Sequence, residues 1–227
     1  MLNLEPFVYV NKIVVNDTDK VREYFKELLQ RRNSTEGYHS LESSEEVIAI
    51  NYYRVINTFD FSFDKENNKI VSEETPKIMN AELRLNLENG TLIVWGKPSV
   101  IKFINTVLQD EELFQVKSNG LEFESFYKNF SECKTEITEV SFNDIRVLNK
   151  YIPVATLSTT SNKDALYLVE NLGAKVSRVK IRVFSKDDEF VELDTNLEDG
   201  IIKFNFQVID KVFIEDIKEK INKLKLI

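Results

Sequence analysis

Residues able to do chemistry are few in this chain, and they are scattered. His39 is the single histidine and Cys133 the single cysteine. A zinc site draws three or four ligands from such residues, so one of each cannot build it. Cys133 has no histidine near it in sequence, and reads as a small apolar residue. His39 lies in the polar stretch RRNSTEGYHSLESSEE and reads as an exposed loop residue. Carboxylates cluster in DTD at 17–19 and KDDE at 186–189. The first reads as a helix cap and the second as a hairpin turn. There is no glycine-rich phosphate loop and no nucleophile elbow. The expectation is therefore a non-catalytic protein, with no cofactor and no metal.

A second kind of chemistry follows from strand parity. In VSRVKIRVF, if Val179, Ile181 and Val183 face a core, then Arg178, Lys180 and Arg182 share the opposite face. In the last hairpin Phe204 and Phe206 face inward, which sends Lys203, Asn205 and Gln207 outward. The same parity in the N-terminal half sends Tyr52, Arg54, Arg84, Ile93 and Trp95 outward. Tyr52, Arg54, Trp95, Arg178, Lys180, Arg182 and Lys203 then form a basic, aromatic binding surface on an acidic protein. Tyr, Trp and Arg are enriched at protein-binding hot spots. Basic groups interleaved with aromatics also suit nucleic acid. Against both stands an ordinary solvated sheet, since Glu82, Glu192 and Asp194 share that face and cross-strand ion pairs are common.

The elements behind this parity are written twice. AELRLNLENG at 81–90 aligns without a gap to VELDTNLEDG at 191–200. Leu83, Leu85 and Leu87 alternate with polar residues, as in a half-buried strand. Asn89-Gly90 and Asp199-Gly200 predict type I′ hairpin turns. A helix follows each hairpin, with Phe103 and Phe213 as equivalent inward anchors. Upstream, Asn16 or Asp17 caps one predicted helix; Ser161 with Asp164 forms a capping box on another, and Gly173 ends it. Phe59, Phe61 and Phe63 alternate in a long strand.

The predicted fold is α+β: two tandem homologous β-α-β-β-β-α lobes, each an antiparallel sheet with helices packed on one face. The first lobe covers residues 1–112 and the second 151–227. Between them, 113–150 is an acidic connector: residues 109–146 hold nine acidic and four basic side chains. Its aromatic residues predict a short helix packed on the lobes.

With 42% apolar and 11% aromatic residues, the chain can form a core. A net charge of −8 argues against broad phosphate neutralisation. No stretch approaches the ~20 apolar residues of a membrane span. MLNLEPFVYV lacks the pattern of a signal peptide, and a single cysteine allows no internal disulfide, so a cytoplasmic protein is expected. The functional expectation is an interaction or regulatory protein that holds a protein partner on the outward sheet face. Its alternative is a nucleic-acid-binding module using the same face. An enzyme with a site between the lobes comes third.

Overall fold

A computed structural model describes residues 7–100, 113–117, 120–147, 150–206 and 210–224. The fold is α+β, dominated by one large antiparallel sheet. In the N-terminal half, β1 (Phe7–Val15) leads to α1 (Thr18–Leu28), then β2 (Glu36–Ser43), β3 (Val47–Asp64), β4 (Lys69–Asn86) and β5 (Thr91–Gly96). The middle of the chain supplies β6 (Phe114–Lys117), α2 (Phe123–Lys128) and β7 (Thr135–Val147). The C-terminal half adds β8 (Lys150–Ser158), α3 (Asn162–Asn171), β9 (Lys175–Phe184), β10 (Phe190–Asn196), β11 (Ile201–Phe206) and α4 (Lys211–Asn222).

The strand order is β2-β3-β4-β5-β1-β11-β10-β9-β7-β8, with β6 beside the end of β1. Strand β1 joins the halves, because Val8 pairs with Trp95 on one side and with Ile202 on the other. Directly paired residues share a face, and neighbours along a strand alternate. Val8, Val10, Ile93, Trp95, Ile202 and Phe204 therefore look to one side, where α2, α3 and α4 pack. Ile13, Leu83, Leu85, Leu92 and Val94 look to the other, where Val21, Phe25 and Leu28 of α1 cover them. The described residues form two cores, on opposite faces of one sheet.

Local chemistry explains the element ends. The Asp17 carboxylate accepts from the amides of Asp19 and Lys20 and opens α1. Ser161 accepts from the Asp164 amide at 3.2 Å and opens α3, and Gly173 follows its end at φ 58°. The two repeated hairpins are not type I′ turns. Each loop has four residues, and only Gly90 and Gly200 have positive φ, both 65°. The reason is the asparagine before each loop. Asn86 Oδ1 accepts from the amides of Glu88 and Asn89, and Asn196 Oδ1 from those of Glu198 and Asp199. This side-chain bracket favours a longer loop that turns left-handed only at its last residue.

The middle segment is more than a connector. Helix α2 buries Phe123 and Phe126, and Phe130 follows them into the core. Strand β7 lies inside the sheet, between β9 and β8. Phe213 is half-buried against the core, while Ile217 and Ile221 of the same helix are buried fully. Phe103 lies outside the described residues. No helix among the described residues is long and apolar enough to cross a membrane.

Candidate functional site

The outward face of the C-terminal half follows the expected parity. Val179, Ile181 and Val183 are fully buried, and Arg178, Lys180 and Arg182 lie on the other face. Each of these cations meets a carboxylate. Arg178 donates to Asp194 through Nε at 2.6 Å and through a second guanidinium nitrogen. Lys180 Nζ donates to Glu139 at 3.1 Å. Arg182 stands 3.5 Å from Glu192 and covers the Phe190 ring at 4.9 Å. Lys203 is exposed and pairs with Asp194 across the ladder. In the N-terminal half Arg54 stands 4.0 Å from Glu36.

Tyr52 and Arg54 lie on the inward side of β3, with Ala81 and Met79, and Trp95 is covered, which corrects the sequence expectation. Tyr52 is 1% exposed, in the core under α1, where its ring meets Tyr38 at 5.1 Å and its hydroxyl donates to Glu36 at 3.2 Å. It shares the inward parity of Ile48 and Ile50. Trp95 does have outward parity in its own half, but α4 of the other half lies over it and leaves 4% exposed. Its Nε1 donates to Asn222 Oδ1 at 3.0 Å, its ring meets Phe204 at 5.6 Å, and Lys218 Nζ sits 5.6 Å from the ring centre. Lys218 in turn donates to Glu82 at 2.6 Å. The expected single surface is thus divided. Its C-terminal part is an ion-paired ladder, and its N-terminal part is partly roofed by a helix.

Beyond that roof, β3 and β4 continue as a two-stranded arm. Their register runs unbroken from Val47–Asn86 to Asp64–Lys69. Phe59, Phe61 and Phe63 are 58%, 73% and 57% exposed, and Ile70 and Ile78 more than half exposed. All five share one face of the arm, because Phe63 pairs with Ile70 and Ile78 with Val55. Strand parity continues this face from Asn51 and Ala49, so it belongs to the outward side of the N-terminal half.

Between that outward side and α4 runs a cleft of about 830 Å³, reached by Asn51, Glu82, Arg84, Glu215 and Lys218. Cys133 lies elsewhere, partly buried in the larger core, and burial pushes its thiol pKa up against the opposing pull of Lys220. Its thiol is thus biased away from the nucleophilic form. His39 is exposed, with Nδ1 2.8 Å from Ser40 Oγ.

No family model matches the chain. Over 135 residues it is 27% identical to peptide chain release factor 1 of Staphylococcus haemolyticus (strain JCSC1435), a match that takes in 58% of this chain and 37% of that protein. The chain therefore spans little more than a third of the curated relative it matches.

Sequence reasoning recognised Phe59, Phe61 and Phe63 as a strand and missed that they stand exposed. A signal was present. The segment from 55 to 78 carries Asp60, Asp64, Glu66, Glu73 and Glu74 between its apolar residues, and Pro76 within a strand. Proline in a sheet marks an edge or a strand with little beside it.

Proposed function

We propose that this chain is a non-catalytic interaction protein that holds a protein partner on the outward sheet face of its N-terminal half, at the apolar face of the β3–β4 arm. The observation that carries this reading is the exposure of Phe59, Phe61 and Phe63 on one face of an arm that no element among the described residues covers. Together with Ile70 and Ile78 they offer on the order of 600 Å² of apolar surface. That is at the upper end of what a monomer leaves open, and close to one side of a standard interface. A two-stranded ribbon alone is marginal in water, so a covering surface would stabilise it. The flanks carry five acidic residues against Lys65, Lys69 and Lys77. The matching partner surface is apolar with a basic rim. The same acidic flanks, and the carboxylates paired with Arg178, Lys180 and Arg182, weigh against nucleic acid as the ligand.

Two further points belong to the reading. The halves descend from one duplicated unit, which the matched Asn86 and Asn196 turn brackets and the equal φ of Gly90 and Gly200 support. The chain works in the cytoplasm, in keeping with its single cysteine.

The test is photo-crosslinking in cells from position 61, with position 186 as an exposed control. A discrete protein adduct from 61 alone supports the reading. An adduct to nucleic acid revives the alternative, and equal labelling from both positions overturns the proposal.

A further inference from the structure

We infer that the chain binds a small oxyanion, of the phosphate class, in a second site where the β4–β5 turn meets the end of α4. The site is a cavity of about 190 Å³ beside the larger cleft. It lies apart from the arm and does not depend on the reading given to it.

Its walls hold hydrogen-bond donors without acceptors to match. Arg84 lines it, half-buried, and makes no hydrogen bond or ion pair among the described residues. A guanidinium has five N–H donors in a planar fork suited to an oxyanion. Thr91 lines it at 1% exposure, and its buried Oγ1 has no partner. A buried hydroxyl left so is unfavourable, a cost that a ligand oxygen would relieve.

Three amides complete the wall. Asn86 Oδ1 is taken by the amides of Glu88 and Asn89 at 3.0 and 3.1 Å. Asn89 Oδ1 is taken by the Thr91 amide at 3.0 Å. Asn222 Oδ1 is taken by the Trp95 indole at 3.0 Å. Each carbonyl already accepts a hydrogen bond, and each side chain keeps N–H groups that can donate to a ligand. Lys223 stands at the rim, bonded to Glu219 at 2.5 Å. No carboxylate lines this cavity among the described residues, although five line the larger cleft beside it.

One effect opposes the site. It meets α4 at its C-terminus, where the helix dipole is negative. Arg84 supplies a full charge against that partial one, while the charge of Lys223 is shared with Glu219. The acidic neighbouring cleft disfavours a polyanion, so the ligand is a compact oxyanion, free or carried on a small neutral body.

Calorimetric titration of the full chain with inorganic phosphate, at fixed ionic strength, tests this, with AMP as a second titrant. Saturable phosphate binding should appear, and Arg84→Gln should weaken it by about tenfold or more, the scale of one charge-assisted hydrogen bond. Binding of AMP in preference to phosphate would identify a phosphomonoester as the source. Thr91→Val removes the orphan hydroxyl with little change of shape, so it controls for folding. If phosphate binds, Thr91→Val weakens it while the variant melts no lower than the parent. No saturable binding, or phosphate affinity unchanged in both variants, overturns the inference.

Discussion

Gly90 and Gly200 stand on opposite sides of strand β1 and make the same contact with it. The Gly90 carbonyl accepts from the Ile13 amide at 2.6 Å, and the Gly200 carbonyl from the Val10 amide at 2.8 Å. Both have φ 65°, and at each a Cβ would come within 2.2 Å of a β1 carbonyl oxygen. Strand β1 is therefore gripped on both sides by turn tips that admit no side chain, one from its own half and one, Gly200, across the seam.

Gly90→Ala and Gly200→Ala should each destabilise by more than about 2 kcal/mol, through left-handed strain plus a backbone clash. Gly173 is the internal control: its φ is 58°, but nothing lies within 4 Å of its Cβ position. Gly173→Ala should cost only about 1 kcal/mol. Urea midpoints of the three variants check the order.

Trp95 should prove a structural anchor between the halves. Trp95→Ala removes a buried ring and leaves a cavity, at a cost of about 3–5 kcal/mol. Asn222→Ala strands the buried indole N–H and should cost about 1–3 kcal/mol. Because the two share one hydrogen bond, the double variant should cost less than the sum, which a double-mutant cycle in urea would measure.

The arm should behave in the opposite way. Changing Phe59, Phe61 and Phe63 together to Ser should move stability by no more than about 0.5 kcal/mol per site, as for other exposed positions. It should remove the adduct formed from a crosslinker at position 70, the cross-strand neighbour of Phe63. Differential scanning fluorimetry and the crosslinking yield read the two effects separately.

Alkaline pH should destabilise the smaller core. Burial raises the Tyr38 pKa well above its ordinary 10.0, and the phenol stays neutral in the folded protein. Above pH 10 the unfolded chain loses this proton and the folded one keeps it. Stability contributed by the neutral phenol is thus whole below pH 10 and falls as pH rises, by up to about 1.4 kcal/mol per pH unit for one group. Tyr38→Phe should reduce that slope. It should cost little at neutral pH, because the buried Tyr38 hydroxyl has no hydrogen-bond partner among the described residues. Urea titrations between pH 8 and 11 would show both.

Alternation, caps and turn residues by themselves determined most of the elements. Val179, Ile181 and Val183 declare β9 and its inward face, Asp17 and Ser161 mark where α1 and α3 begin, and Gly90 and Gly200 mark the matched turns. These signals act over one turn or one strand, where the physics is local. Strand β7 escaped because bulges at Ile137–Glu139 and Ser141–Phe142 space its buried residues Ile137, Val140, Phe142 and Ile145 irregularly, which breaks a period of two. The surface was decided only by tertiary structure. Parity fixes which residues share a face, but it does not say what lies over that face. Strand β1 couples the halves so that their inner faces point to opposite sides of one sheet. Helix α4 of one half consequently roofs Trp95 of the other, while on the same side of the sheet, followed out along β3 and β4, Phe61 stands exposed.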